Sequence, residues 1–159
     1  MLQKVISGGQ TGADIAGLVT AKHFGFQTGG SMPYGFKTTD GPRPEYEHEF
    51  GCTAQKTASY VSRTYSNVKD SDGTIRLAFN FGSPGEKCTL KAIKQYNKPY
   101  IDVDLFEPTD IAIVAEWIIK NKITVLNIAG NSEKTCPGTY EVVCDYLQEL
   151  FKCFHTGAV

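Results

Sequence analysis

Three times along this chain a short apolar run stops at a loop of glycine and small polar residues, and a helix-like pattern follows. Residues 2–7 lead into Gly8-Gly9-Gln10-Thr11-Gly12, and residues 13–24 then carry Ile15, Leu18 and Val19 at helical spacing. Residues 74–79 lead into Gly82-Ser83-Pro84-Gly85, ahead of a helix over 86–97 with Leu90, Ile93 and Tyr96 on one stripe. Residues 123–128 lead into Ala129-Gly130-Asn131-Ser132, ahead of a closing helix over 140–154. A repeated strand–loop–helix pattern brings successive strands in parallel and leaves helices on both faces of the sheet.

The pattern predicts a three-layer, Rossmann-like α/β domain with a mostly parallel sheet. Residues 100–103 read as a further strand. Thr109 caps a helix reaching Lys120, with Ile111, Val114, Trp117 and Ile118 inward. Residues 28–50 read as irregular, punctuated by Gly29, Gly30, Pro33, Gly35, Gly41, Pro42 and Pro44. A connection of that length in a small domain is usually functional. Residues 53–66 read as a weakly patterned helix. No linker, repeat or low-complexity stretch divides the chain, so residues 1–159 are read as one domain.

At 159 residues the chain can bury a core without disulfide or metal staples. Sixteen Lys+Arg against seventeen Asp+Glu leave a net charge of −1, which argues against a broadly basic nucleic-acid or membrane binder. The longest nearly apolar run, 111–119, contains Glu116 and is too short to cross a bilayer. The start of the chain turns glycine-rich too soon for a signal peptide. Five cysteines, an odd number with no CxxC spacing, point to free thiols and a reducing, cytoplasmic setting. Neither His48 with Cys52 nor Cys153 with His155 has the paired spacing of a zinc site, so no metal ligands are expected.

The three loops favour anions. Glycine permits close backbone approach, and the helix behind each loop offers unpaired N–H groups and the positive end of its dipole. In a parallel sheet all three share the carboxyl edge, where ligands collect. The candidate binding residues are therefore Gly8, Gly9, Gln10, Thr11, Gly12, Gly82, Ser83, Gly85, Gly130, Asn131 and Ser132. Asp14 sits in the first turn of its helix, Asp72 precedes a strand and is assigned to orient polar groups of a ligand, and Arg43 supplies charge from the long loop. Lys37 reads better as a solvated charge. Arg63, near Asn67, could point to the same edge. Tyr34, Phe36 and Tyr46 form either an aromatic wall or the small core of their loop. The first loop lacks the GxxxxGK[ST] of a P-loop and the GxGxxG of a dinucleotide site, and no pattern specifies a nucleophile.

Together these residues resemble a known family. The markers are Ile6-Ser7-Gly8-Gly9-Gln10-Thr11-Gly12-Ala13-Asp14, the Gly29-Gly30…Pro33…Gly35 loop ending in Asp40-Gly41…Pro44-Glu45-Tyr46, and Arg63-Thr64…Asn67-Val68-Lys69-Asp70-Ser71-Asp72-Gly73-Thr74. They continue through the Gly82 loop to Asn127-Ile128-Ala129-Gly130…Pro137-Gly138-Thr139-Tyr140. In that order they resemble the molybdenum cofactor carrier family, a circularly permuted YpsA-like branch of the SLOG Rossmann superfamily. The resemblance covers nearly the whole chain. Two family features are replaced: the arginine after the loop aspartate is Ile15, and Cys-Pro-Lys-Gly-Arg is Met32-Pro33-Tyr34-Gly35-Phe36.

The resemblance implies a cytoplasmic, homo-oligomeric carrier of molybdenum cofactor (molybdopterin) or a similar pterin phosphate, with a molybdoenzyme as recipient and no covalent catalysis. The alternative is a nucleotide-like ligand, in a sensor or a phosphoribohydrolase-like enzyme. Relatives that cleave nucleotides carry PGGxGTxxE, where this chain reads Ser83-Pro84-Gly85-Glu86-Lys87-Cys88-Thr89.

Overall fold

The computed structural model describes residues 1–155. Six strands, β1 (Lys4–Ile6), β2 (Gln27–Met32), β5 (Cys52–Ala54), β6 (Gly73–Ala78), β7 (Tyr100–Asp104) and β8 (Val125–Gly130), build one sheet. Its order is β5-β2-β1-β8-β6-β7, and every pairing in it is parallel. The short strands β3 (Lys37–Thr38) and β4 (Gly41–Pro42) form a separate antiparallel hairpin.

Helices α1 (Ala13–His23), α5 (Ile111–Lys120) and α6 (Thr139–Lys152) pack together on one face. Helices α3 (Tyr60–Asp70) and α4 (Pro84–Tyr96) pack against each other on the other face, and a short α2 (Tyr46–Phe50) precedes β5. This is the three-layer, Rossmann-like α/β fold expected from the loop pattern. The larger core lies under α1, α5 and α6, where Val5, Ile75, Leu126, Ile128, Val143 and Leu147 have no exposed surface. All six residues of β6 are buried, as a central parallel strand covered on both faces must be.

The region from 28 to 50 is more ordered than its composition suggests, for it contains most of β2, the hairpin and α2. The β2 sequence Gln-Thr-Gly-Gly-Ser-Met lacks apolar alternation, and its Gly30 serves a different need. A Cβ on Gly30 would collide with the backbone of Ser7 in the turn after β1. The helix expected over 53–66 is replaced by the three-residue β5 and by α3, which starts at Tyr60 behind the Ser59 cap. Asp110, not Thr109, caps α5, its carboxylate accepting from the Ala112 N–H at 3.0 Å.

Candidate functional site

The loops after β1, β6 and β8 meet at the carboxyl edge of the sheet. From there α1 leaves along one face and α4 along the other. A cleft of about 410 Å³ opens at this divergence, between α3 and α4 on one side and the β1 and β8 loops on the other. That volume lies within the usual range for small-molecule sites.

Of the expected residues, Gly8, Gln10, Asp14, Ser83, Gly85, Gly130, Asn131 and Ser132 line the cleft. Thr11, Gly12 and Arg43 line a second hollow of about 410 Å³ beside α1, with Tyr46, Glu133 and Tyr140. Gly9 is buried against the Met32 side chain. Gly82 donates its N–H to Asn80 Oδ1 at 2.8 Å. Asp72 is not brought to the cleft. It precedes β6, at the opposite edge of the sheet, and accepts from the Thr124 N–H and hydroxyl and the Val125 N–H at 2.9–3.0 Å. Those bonds hold its carboxyl below the ordinary range, and its work is to join the starts of β6 and β8. Phe36 and Tyr46 pack against the core formed by Leu18, Met32 and Phe50, whereas Tyr34 is exposed.

The glycine loop after β1 uses many of its own donors. Gly9 N–H donates to Ser7 Oγ, Gln10 N–H to Asp14 Oδ2, Thr11 N–H to its neighbour Gln10 Oε1, and Ala13 N–H to the Asn131 carbonyl. Asp14 thus occupies the start of α1 much as a bound anion would. The β8 loop is similar, for Glu133 accepts from the N–H groups of Gly138 and Tyr140 at the start of α6. Asn131 ties β6 to β8 by accepting from Phe79 and Asn80 N–H and donating to the Asn80 carbonyl. The Gln10 Oε1 atom also accepts from Thr39, fastening the β3–β4 hairpin over this loop.

Arg63, from α3, reaches across the cleft and donates to Asp14 Oδ2 at 3.0 Å. It lies directly against Gly8, where a Cβ would collide with the guanidinium. Burial pushes the Asp14 carboxyl up, while Arg63 and the N–H groups of Gln10 and Gly8 oppose that push. The Arg63 Nε is buried without a hydrogen-bond partner.

Glu86 is the residue that the sequence reading passed over. It is 2% exposed, in the first turn of α4, and it lines the cleft. Its Oε1 is buried with no hydrogen-bond partner. Desolvation raises its pKa to about 7, reinforced by Asp14 and Asp102 and opposed by Arg76 and Arg63. A glutamate just inside a helix start is so common a dipole partner that nothing in the sequence singles it out. Arg76 fixes the turn that carries it. This buried arginine of β6 donates from Nη1 to the Glu86 carbonyl at 3.1 Å and grips Asp102 with Nε and Nη2 at 2.7 and 2.6 Å. Asn67 and Thr64 of α3 and Thr89 of α4 complete the walls.

The fold has a counterpart among solved structures. A crystal structure of a "putative molybdenum carrier protein" from Syntrophus aciditrophicus SB is similar, with a TM-score of 0.85 and 36% sequence identity over 94% of each chain. No curated protein matches the chain. Residues 5–151 match the family described as circularly permutated YpsA SLOG. With that match over nearly the whole chain, this protein belongs to the circularly permutated YpsA SLOG family.

Proposed function

We propose that the cleft between α3 and α4 binds molybdenum cofactor or a similar pterin phosphate, and that the protein is a cytoplasmic carrier that delivers it to a molybdoenzyme. The observation that carries this reading is the cleft's polar interior, where Arg63 Nε and Glu86 Oε1 are buried without partners. Buried polar atoms left unpaired are costly, and a ligand is a natural means of satisfying them. The name of the structural neighbour points to the same class of cargo. Among the described residues no group of three or more His, Cys, Asp or Glu is placed to hold a metal ion. The polar side chains that line the cleft, Arg63, Thr64, Asn67 and Glu86, suit the organic part of such a cofactor, whose dithiolene would supply the metal's ligands. No helix among those residues is long and apolar enough to cross a membrane.

An anaerobic thermal-shift comparison of molybdenum cofactor, molybdate, AMP and ADP-ribose tests the reading. A ligand at 100 times its Kd adds about 2.7 kcal/mol, which for a domain of this size is a rise of roughly 5–10 °C. The expected outcome is a rise with the cofactor alone. A rise with the nucleotides alone overturns the carrier reading in favour of a nucleotide-binding protein.

A further inference from the structure

We propose that Glu86 recognises the ligand's heterocycle by its amino–imide edge, the adjacent ring N–H and exocyclic amine that pterins and guanine share. The inference rests on the cleft being the binding site proposed above, and it assigns the chemistry of the cleft's inner end.

Two carboxyl groups line the cleft, Asp14 and Glu86. Asp14 is committed to Arg63 and to the Gln10 N–H. That leaves Glu86, 2% exposed, among the residues lining the cleft and with an unpartnered oxygen, as the acceptor not yet committed. Arg63 already has an opposite charge against it at 3.0 Å, so the pair presents little net attraction for an anion. A phosphate seated beside Glu86 would place a further negative charge against a carboxyl whose ionised form burial already disfavours. A planar edge with two neighbouring N–H donors instead matches the two carboxylate oxygens, in the way that a carboxylate accepts a guanidinium fork. The anionic tail of such a ligand would point outward, toward Ser132 and Thr135 at the open side of the cleft.

The backbone that carries the carboxylate is held in place. Its turn is capped by Ser83, whose hydroxyl accepts from the Glu86 N–H, and its carbonyl is bound by Arg76. Positioning of this kind fixes where the side chain leaves the helix, and its burial limits where the carboxylate can turn. It gives the site a fixed acceptor, which discriminates by leaving a mismatched ligand's polar atoms unpaired.

The test is equilibrium binding to the whole chain of two matched pairs, 6-hydroxymethylpterin against 6-hydroxymethyllumazine and GMP against IMP. Each second member lacks the exocyclic amine. Wild type should prefer the amine-bearing member of at least one pair by about tenfold or more. Glu86→Gln, which keeps the size of the side chain, should reduce that preference to about twofold or less. A preference in the pterin pair alone supports the inference and the carrier reading. A preference in the guanine pair alone supports the inference and counts against the carrier reading.

Equal affinity within both pairs, or a preference unchanged in Glu86→Gln, overturns the inference. In that event a thermal shift with molybdenum cofactor still upholds the carrier reading. No binding of any probe, the cofactor included, removes both. Circular dichroism and Tm establish that the variant is folded; were it not, the wild-type pairs alone decide.

Discussion

Two carboxyl groups of the cleft sit in similar burial yet differ in partners, and the difference is measurable. Asp14 has a guanidinium and backbone N–H groups, whereas Glu86 has none of these at its buried oxygen. The Glu86 pKa rises from 4.5 to about 7 on folding, chiefly because burial disfavours the charged form. Asp14 and Asp102 add to the rise, and Arg76 and Arg63 resist it. The folded state therefore holds a proton that the unfolded state has released. Stability from this group is fully present below pH 4.5, falls through the window up to about 7 and is lost above it. The whole change amounts to about 3 kcal/mol. Chemical denaturation at pH 5, 6, 7 and 8 should show that decline in wild type. It should be absent from Glu86→Gln, which should be the more stable of the two at pH 8. Parallel pH profiles would assign the decline to other groups. Gly9 gives a second prediction at this scale. Its φ is +69°, and a Cβ there would lie 2.7 Å from the Met32 side chain. Gly9→Val should lower the stability measured in urea by about 2–5 kcal/mol through backbone strain and overpacking. Any loss of ligand binding in that variant would thus report on the fold.

Helix α4 depends on two devices at its start, the Ser83 cap and the buried Arg76 beneath it. Arg76 also lies between the rings of Phe81 and Tyr100, at 5.0 and 5.8 Å from their centres. Arg76→Leu keeps the burial but loses the charge-assisted bonds to Asp102 and the Glu86 carbonyl. Asp102 is 38% exposed and remains hydrated after the change, so the cost should be about 2 kcal/mol rather than that of a stranded buried ion. A denaturation midpoint equal to wild type would show that the ring contacts and sheet pairing alone anchor this turn. Element by element, α1, α4, α6, β6 and β8 were legible within a few residues, because each joins a periodic apolar run to a small-residue loop. Strands β2 and β5 were not. In β2 Gly30 answers to a neighbouring backbone, and β5 is only three residues long. Neither fact leaves a local signature.

The molecule as a whole is unequal across its sheet. Among the described residues, the cluster under α1, α5 and α6 holds twenty buried apolar residues, and the one between α3 and α4 holds Val68, Ala92 and Ile93. The layer that carries Arg63 and Glu86 is therefore the one with less apolar packing behind it. Amide hydrogen exchange should find α3 and α4 opening at lower free energy than α1 and α6. A cleft ligand should slow exchange in α3 and α4 most, because both helices line the cleft. Uniform protection across the two layers would contradict this picture.

The alternation of β1, β6, β7 and β8 with α1, α4, α5 and α6, and with it the carboxyl edge where three loops converge, followed from the sequence, since apolar periodicity and glycine placement act over neighbouring residues. Tertiary structure decided which loop groups face the cleft and which are spent on one another. Asp72 moved to the far edge of the sheet, Arg43 to the second hollow, and the first glycine loop closed on Asp14. Arg63 and Glu86 came together from positions 23 residues apart, on two helices that pack against each other in the folded molecule. Whether a buried polar atom has a partner depends on atoms distant in the chain, so the unpaired oxygen of Glu86 could be seen only in the folded molecule.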